Sequence, residues 1–241
     1  MESISYQYLC DCLEMFHVKP SMEVYEKLNI YYQMIVEKNK VMNLTAITDP
    51  VGVTLKHFAD SLAIASIMDM SQDMSLIDVG TGAGFPGIPI KICFPNIRIT
   101  LLDSLQKRLN FLDEVIERLG LEEINCIHSR AEDGGRNPDL REKYDIAVSR
   151  AVAPLQILSE YCLPYVKVGG AFIAYKSGET EKEVTEAKNG IRKLGGGNIS
   201  CQKFTLYDSD IHRSLIKIDK LEATSNFYPR KAGMPSKKPL Q

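Results

Sequence analysis

Up to about residue 70 the apolar positions recur every three or four residues, which predicts helices. In 21–38, Val24, Leu28, Tyr31 and Ile35 share one face behind a Ser21 cap. In 50–68, Val51, Leu55, Phe58, Leu62 and Ala65 repeat the pattern after Pro50. His57, Asp60 and Ser61 then fall together on the polar face and read as helix-surface groups. From residue 74 short apolar runs alternate with helical stretches. Strands are expected at 75–79, 97–102, 124–128, 144–148 and 171–175, the last after a Gly169-Gly170 turn. Helices are expected at 88–94, 154–165 and 179–194, and behind a Ser104 cap, where Leu105, Leu109, Leu112, Ile116 and Leu119 form a stripe stopped by Gly120. Residues 198–206 and 213–221 read as a terminal hairpin. Strand–helix alternation implies parallel crossovers, and the hairpin adds a reversed strand. The expected fold is α/β, a Rossmann-like doubly wound, mostly parallel sheet with one antiparallel strand. Its expected parts are an N-terminal helical extension packed on the main domain (1–70), the Rossmann-like domain (71–222) and a basic tail (223–241).

The composition, 44% apolar and 25% charged over 241 residues, is ordinary for a globular chain that buries a real core. Charge changes the picture only locally. The chain carries −2 overall, so no global field advertises nucleic acid, yet the tail from Ala223 has Arg230, Lys231, Lys237 and Lys238 and no acid. That tail reads either as a solvated, partly disordered end or as a phosphate contact. The six cysteines show no Cys-x-x-Cys and no nearby His pair, so neither zinc nor a disulfide framework is expected and a reducing cytoplasm fits. No apolar run is long enough to span a membrane, and the N-terminus has no signal-peptide pattern.

The chemistry concentrates at Leu76-Ile77-Asp78-Val79-Gly80-Thr81-Gly82-Ala83-Gly84-Phe85-Pro86-Gly87. This is a buried strand, a glycine turn that lets backbone approach a ligand, and a helix start whose free N–H groups favour an anion. It reads as a nucleotide-type cofactor loop at the carboxyl end of a first strand. Gly82-Ala-Gly84-Phe-Pro-Gly87 fits the dinucleotide fingerprint, but its last glycine falls after Pro86 and would push the loop into the helix. The frame Asp78-x-Gly80-x-Gly82-x-Gly84 fits better and resembles motif I of the class I methyltransferases, which bind S-adenosylmethionine. Asp103 ends the second strand, 23 residues past Gly80, where an acid would receive ribose hydroxyls. Ala131 and Glu132 follow the third strand, where side chains would bracket an adenine. Arg150 and Lys176 follow strands four and five and suggest an anionic partner. An NAD-dependent oxidoreductase, a small-molecule methyltransferase and a non-enzymatic S-adenosylmethionine sensor remain open on these residues alone.

Blocks along nearly the whole chain resemble the RsmG (GidB) family. They are Asn43-Leu-Thr45, His57-Phe-Ala-Asp60-Ser61-Leu62, the glycine turn through Phe85-Pro86-Gly87, Leu102-Asp103-Ser-Leu-Gln-Lys107-Arg108, Arg130-Ala131-Glu132, Ser149-Arg150-Ala151-Val152-Ala153 and Tyr228-Pro-Arg230-Lys-Ala-Gly233-Met-Pro235. Gln106 departs from the family's usual Lys at a surface-type position. The resemblance implies a class I fold and methylation of N7 of guanine 527, in the 530 loop of 16S rRNA. It implies S-adenosyl-L-methionine as cofactor, S-adenosyl-L-homocysteine as product and no metal. It places Gly80, Phe85, Ala131, Glu132 and Arg150 at the cofactor. With the residues read above, the expected cofactor set is Asp78, Gly80, Gly82, Gly84, Phe85, Asp103, Ala131, Glu132 and Arg150. The expected RNA set is Lys107, Arg108, Lys176, Arg230 and Lys231. The implied partner is 16S rRNA or the small ribosomal subunit, met by a cytoplasmic monomer away from any membrane.

Overall fold

The computed structural model describes residues 2–150 and 153–240. Helices α1 (Tyr6–Glu14), α2 (Met22–Met42), α3 (Pro50–Val53) and α4 (Asp60–Leu62) come first. After them come β1 (Ser75–Val79), α5 (Gly87–Cys93), β2 (Arg98–Asp103), α6 (Gln106–Leu119), β3 (Ile124–His128), α7 (Ala131–Gly134) and β4 (Tyr144–Ser149). The chain ends with α8 (Leu155–Cys162), β5 (Val166–Ser177), α9 (Glu181–Lys193), β6 (Gly196–Thr205), β7 (His212–Lys220) and α10 (Met234–Lys237). The sheet order is β3-β2-β1-β4-β5-β7-β6, parallel through β5, with β7 antiparallel to both neighbours. This is the doubly wound sheet with one reversed strand that the alternation implied, and its crossover point lies between β1 and β4.

The strands are apolar on both faces because helices cover both. Leu76, Leu101, Val148, Ile173 and Leu215 face a core shared with α1, α2, residues 50–66, α5 and α6. Their neighbours Ile77, Leu102, Ala147, Phe172 and Ile216 face a second core under α8 and α9. That period-2 division is the signature of a sheet buried on both sides.

Four local expectations change. Ser104 does not cap α6. Leu105 occupies the cap position, 42% exposed, and its N–H donates to Asp103 Oδ1. Gly169-Gly170 does not precede β5 but lies within it, where the register against β4 shifts. Segment 50–66 is helical but not uniform, because residues Thr54–Ala59 form a π-turn between α3 and α4. Val51, ahead of that turn, is 56% exposed, whereas almost the whole of 52–64 is enclosed, Asp60 and Ser61 together with Leu55, Phe58 and Leu62. Asp60 and Ser61 are therefore interior groups, and His57 is half-buried at the wall of a cleft, not a helix-surface group. Finally, the tail is docked: Pro229, Pro235 and Leu240 are buried.

Candidate functional site

Two clefts open at the carboxyl ends of the parallel strands, the side where open α/β sheets bind ligands. The first is a cavity of about 430 Å³ bordered by Gly80, Asp103, Ser129, Ala131, Glu132 and Tyr161. Its floor is the glycine turn. Gly80 N and Thr81 N both donate to Leu102 O, at 2.8 and 3.1 Å, which pins the turn to β2. Gly82 has φ +64° and donates its N–H to Asp103 Oδ2 at 2.9 Å, and a Cβ there would project into open space. Gly84 is bare for the opposite reason: a Cβ would sit 2.6 Å from the Tyr31 hydroxyl and 2.8 Å from Leu112. That hydroxyl donates to Ala83 O at 2.5 Å, so α2 props the turn from beneath.

Asp78 lies fully buried under the turn. Its Oδ2 accepts from Thr81 Oγ1 at 2.8 Å and Gly87 N at 2.9 Å, while Oδ1 has no hydrogen-bond partner. Burial pushes its carboxyl up to about 6 against the opposing hydrogen bonds and Arg150. Asp103 is equally enclosed, held by Gly82 N, Leu105 N and the Arg108 guanidinium at 3.3 Å. Arg108 is thus tied to the cavity rim, whereas Lys107 is exposed on the first turn of α6. Glu132 Oε1 accepts from Gly233 N at 2.8 Å.

The second cleft, about 720 Å³, is lined by Lys56, His57, Asp60, Arg150, Lys176 and Arg213 among others. Asp60 is its buried anion. Its Oδ2 meets Arg150 Nη1 at 3.1 Å, and Arg213 Nε lies 3.2 Å from Oδ1 without hydrogen-bond alignment. Arg150 also donates to Lys56 O at 3.1 Å, and its guanidinium lies 4.8 Å over the Phe85 ring. Phe85 stacks in turn on His57 at 4.5 Å. It is 6% exposed and backs Arg150 rather than lining the first cavity. His57 Nδ1 lies 3.4 Å from Arg150 Nη2, which can only donate, so Nδ1 accepts and Nε2–H is left to donate to Thr45 Oγ1 at 2.8 Å. Burial, reinforced by Arg150, lowers the His57 pKa to about 3, so the ring is neutral at physiological pH. Lys176 donates to Ala153 O and pairs with Glu183, both at 2.7 Å.

The clefts share Ala153 as a common wall. Ala151 and Val152, part of the Ser-Arg-Ala-Val-Ala block, lie outside the described residues. Of the expected cofactor residues, Gly80, Asp103, Ala131 and Glu132 gather at the first cavity, with Asp78, Gly82 and Gly84 in the turn beneath. Arg150 lines the second cleft with Lys176.

Arg230 is not available to phosphate, contrary to expectation. Its Nε and Nη2 grip both oxygens of Glu160, at 2.9 and 2.6 Å, and its backbone N donates to Oε1 at 2.8 Å. Glu160 is fully buried in α8, so the pair is internal. Lys231 beside it remains exposed. Sequence reasoning missed Arg213, Lys56, Tyr161 and Ser236. For Arg213 a signal existed: β7 runs backwards, so its first residues belong beside the carboxyl end of β5, and Arg213 pairs with Ser177.

Sheet order, reversed β7 and a glycine turn beneath a cavity define a class I methyltransferase fold. Two solved structures share it: a SAM-dependent O-methyltransferase from Thermotoga maritima (TM-score 0.54, 15% identity, 79% of this chain and 72% of that one), and TYW2 from P. horikoshii (TM-score 0.53, 14% identity, 67% and 61%). The family model described as rRNA small subunit methyltransferase G matches residues 24–212. A ribosomal RNA small subunit methyltransferase G from Acetivibrio thermocellus is 53% identical over 93% of this chain and 92% of its own length. One from Clostridium botulinum is 45% identical over 98% and 99%. The chain belongs to this family.

Proposed function

We infer that this protein methylates N7 of a guanine in 16S ribosomal RNA of the small subunit, guanine 527 of the 530 loop, using S-adenosylmethionine. The observation that carries this reading is the meeting of a glycine-turn cavity and a cation-lined cleft across Ala153, in a chain of this family. The cavity fits the cofactor: its floor is bare of Cβ at Gly80 and Gly82, and Asp78 Oδ1 lies buried beneath it without a partner. Gly80, Gly82, Gly84, Asp78, Asp103, Ala131 and Glu132 would hold it, with Arg150 and Phe85 at the boundary with the second cleft. When bound, S-adenosylmethionine supplies a methyl group already activated by a sulfonium.

Guanine N7 has a free lone pair at neutral pH, so no side chain has to remove a proton. The work left to the protein is alignment and exclusion of water. The target base would leave its stack and enter the second cleft, where Lys56, Arg150, Lys176 and Arg213 outnumber Asp60 and Glu183 and favour phosphate. Neutral His57 cannot act as a cation there. It orients Arg150 through Nδ1. Among the described residues no helix is long and apolar enough to cross a membrane.

The test is transfer of radiolabelled methyl to free 16S RNA and to small subunits from a strain lacking the modification, followed by digestion to nucleosides. Label in 7-methylguanosine at the expected site is the predicted result. Label elsewhere, or none on either substrate, defeats the reading.

A further inference from the structure

The carboxyl-terminal segment looks, from sequence, like a solvated basic tail, but it borders the cofactor cavity. Gly233 and Ser236 line that cavity together with Ala131, Leu158 and Tyr161. We propose that residues 228–238 form the wall of the cavity at its base end, latched by Glu132. The proposal rests on reading the cavity as the S-adenosylmethionine site.

The position is set by strand order. The cavity runs from Gly80 after β1, past Asp103 at the end of β2, to Glu132 after β3. With the ribose hydroxyls at Asp103, the base lies toward Glu132. Glu132 Oε1 is already spent on Gly233 N at 2.8 Å. Its first duty is therefore to hold the segment against the cavity, and the base is left to meet Leu158, Tyr161 and the segment's own backbone. Those groups suit a flat, weakly polar purine, because Leu158 and the Tyr161 ring offer apolar contact. The Tyr161 hydroxyl is fixed by Ser236 Oγ at 2.9 Å.

The wall is anchored as a built element. Arg230 and Glu160 bond at three points. Arg141 donates to the carbonyls of Thr224, Ser225 and Tyr228, at 2.6, 3.1 and 2.8 Å. Buried Lys220 donates to Thr224 Oγ1 at 2.6 Å and lies 3.1 Å from Glu142. Residues 228–238 are thus tied to Glu160 of α8, to Arg141 of the β3–β4 connection and to Glu132 of α7, and the bonds at Thr224 and Ser225 fix the chain that leads into them.

Calorimetric titration with S-adenosylhomocysteine tests the wall. Ser236→Trp fills the base end from an exposed position and is expected to weaken S-adenosylhomocysteine binding by about tenfold or more, with its melting temperature unchanged. Ser236→Ala, which loses only the Tyr161 bond, is expected to stay within about threefold. In the wild-type chain, saturating S-adenosylhomocysteine is expected to slow tryptic cleavage after Lys231 by about fivefold. Wild-type affinity in Ser236→Trp, or cleavage that ignores bound S-adenosylhomocysteine, overturns the proposal even if the mutant proves unstable. Failure of the wild-type chain to bind S-adenosylhomocysteine at all would instead overturn the cofactor reading, and the wall with it.

Discussion

The two clefts that meet at Ala153 are built from different materials. The first presents backbone and apolar surface over a bare glycine floor, and its carboxylates Asp78, Asp103 and Glu132 each commit an oxygen to shaping it. The second presents side-chain charge: Arg150 and Arg213 meet at Asp60, Lys56 and Lys176 line the same cleft, and a neutral histidine orients Arg150. The first is suited to one small molecule in one pose, the second to an anionic polymer approached from solution. Shape decides the first and field decides the second, so substitutions on the two sides should separate cofactor affinity from RNA turnover.

Gly82→Val should show the largest separation. Its φ of +64° is strained for a branched residue, and its side chain enters the space above the turn. Cofactor affinity by calorimetry should fall about 100-fold or more, in a chain that still unfolds cooperatively. Unchanged affinity would remove the turn from the site. Asp103→Ala comes next. It removes an acceptor and also frees Gly82 N, so cofactor affinity should drop by about 1.5–3 kcal/mol. A change below about twofold would deny the carboxylate its role.

Arg213→Gln acts on the other side. The Michaelis constant for subunits should rise by about tenfold while the cofactor constant stays within about twofold. An equal loss of both would erase the distinction between the clefts.

pH offers an opposed pair. Asp78 is raised from 3.8 to about 6, so its burial favours folding below 3.8, and that advantage is lost as pH climbs through 6. Asp78→Asn can keep the acceptor for Thr81 and Gly87, and should therefore gain stability at pH 8 relative to wild type but not at pH 3.5. His57 is lowered from 6.5 to about 3, so it contributes stability above 6.5 that drains away on acidification toward 3. His57→Gln should flatten that limb by up to about 1.4 kcal/mol per pH unit. Urea unfolding across pH measures both, and parallel slopes for the two variants would contradict the assignments.

The smallest effect is expected at Lys231→Ala: a salt slope of turnover lower by about 0.7–0.9 for one lost phosphate contact. An identical slope would leave Lys231 without an RNA role. Arg230→Ala should behave differently. It strands Glu160 in the interior and should cost about 3–5 kcal/mol of stability.

The doubly wound sheet with its reversed strand and the glycine turn were legible because period and turn chemistry are local. The alternation of Leu76 with Ile77 and of Leu101 with Leu102 is enough to place a sheet buried on both faces. The polar interior was not legible. Asp60 lies inside a segment enclosed on nearly every side, and it is tolerated there because Arg150, just past β4, and Arg213 of β7 meet it. Arg230 reads as a surface cation for the same reason, since its partner Glu160 sits seventy residues away on the buried side of α8. Long-range pairing of charges leaves no periodic trace.

The prop beneath the glycine turn also governs how the chain can be made. Tyr31 leaves the synthesising ribosome 52 residues ahead of Ala83, the carbonyl it will bond. Its ring packs beside Phe58 and Phe85, in a core that is closed by Leu109 and Leu112 of α6. Until α6 has emerged, the first helices hold an apolar face with nothing to cover it, and a nascent chain stalled before that point is open to aggregation. The N-terminal helices and the turn then reach their final shape in one event, so cutting the chain near residue 70 would leave two halves that each lack a wall.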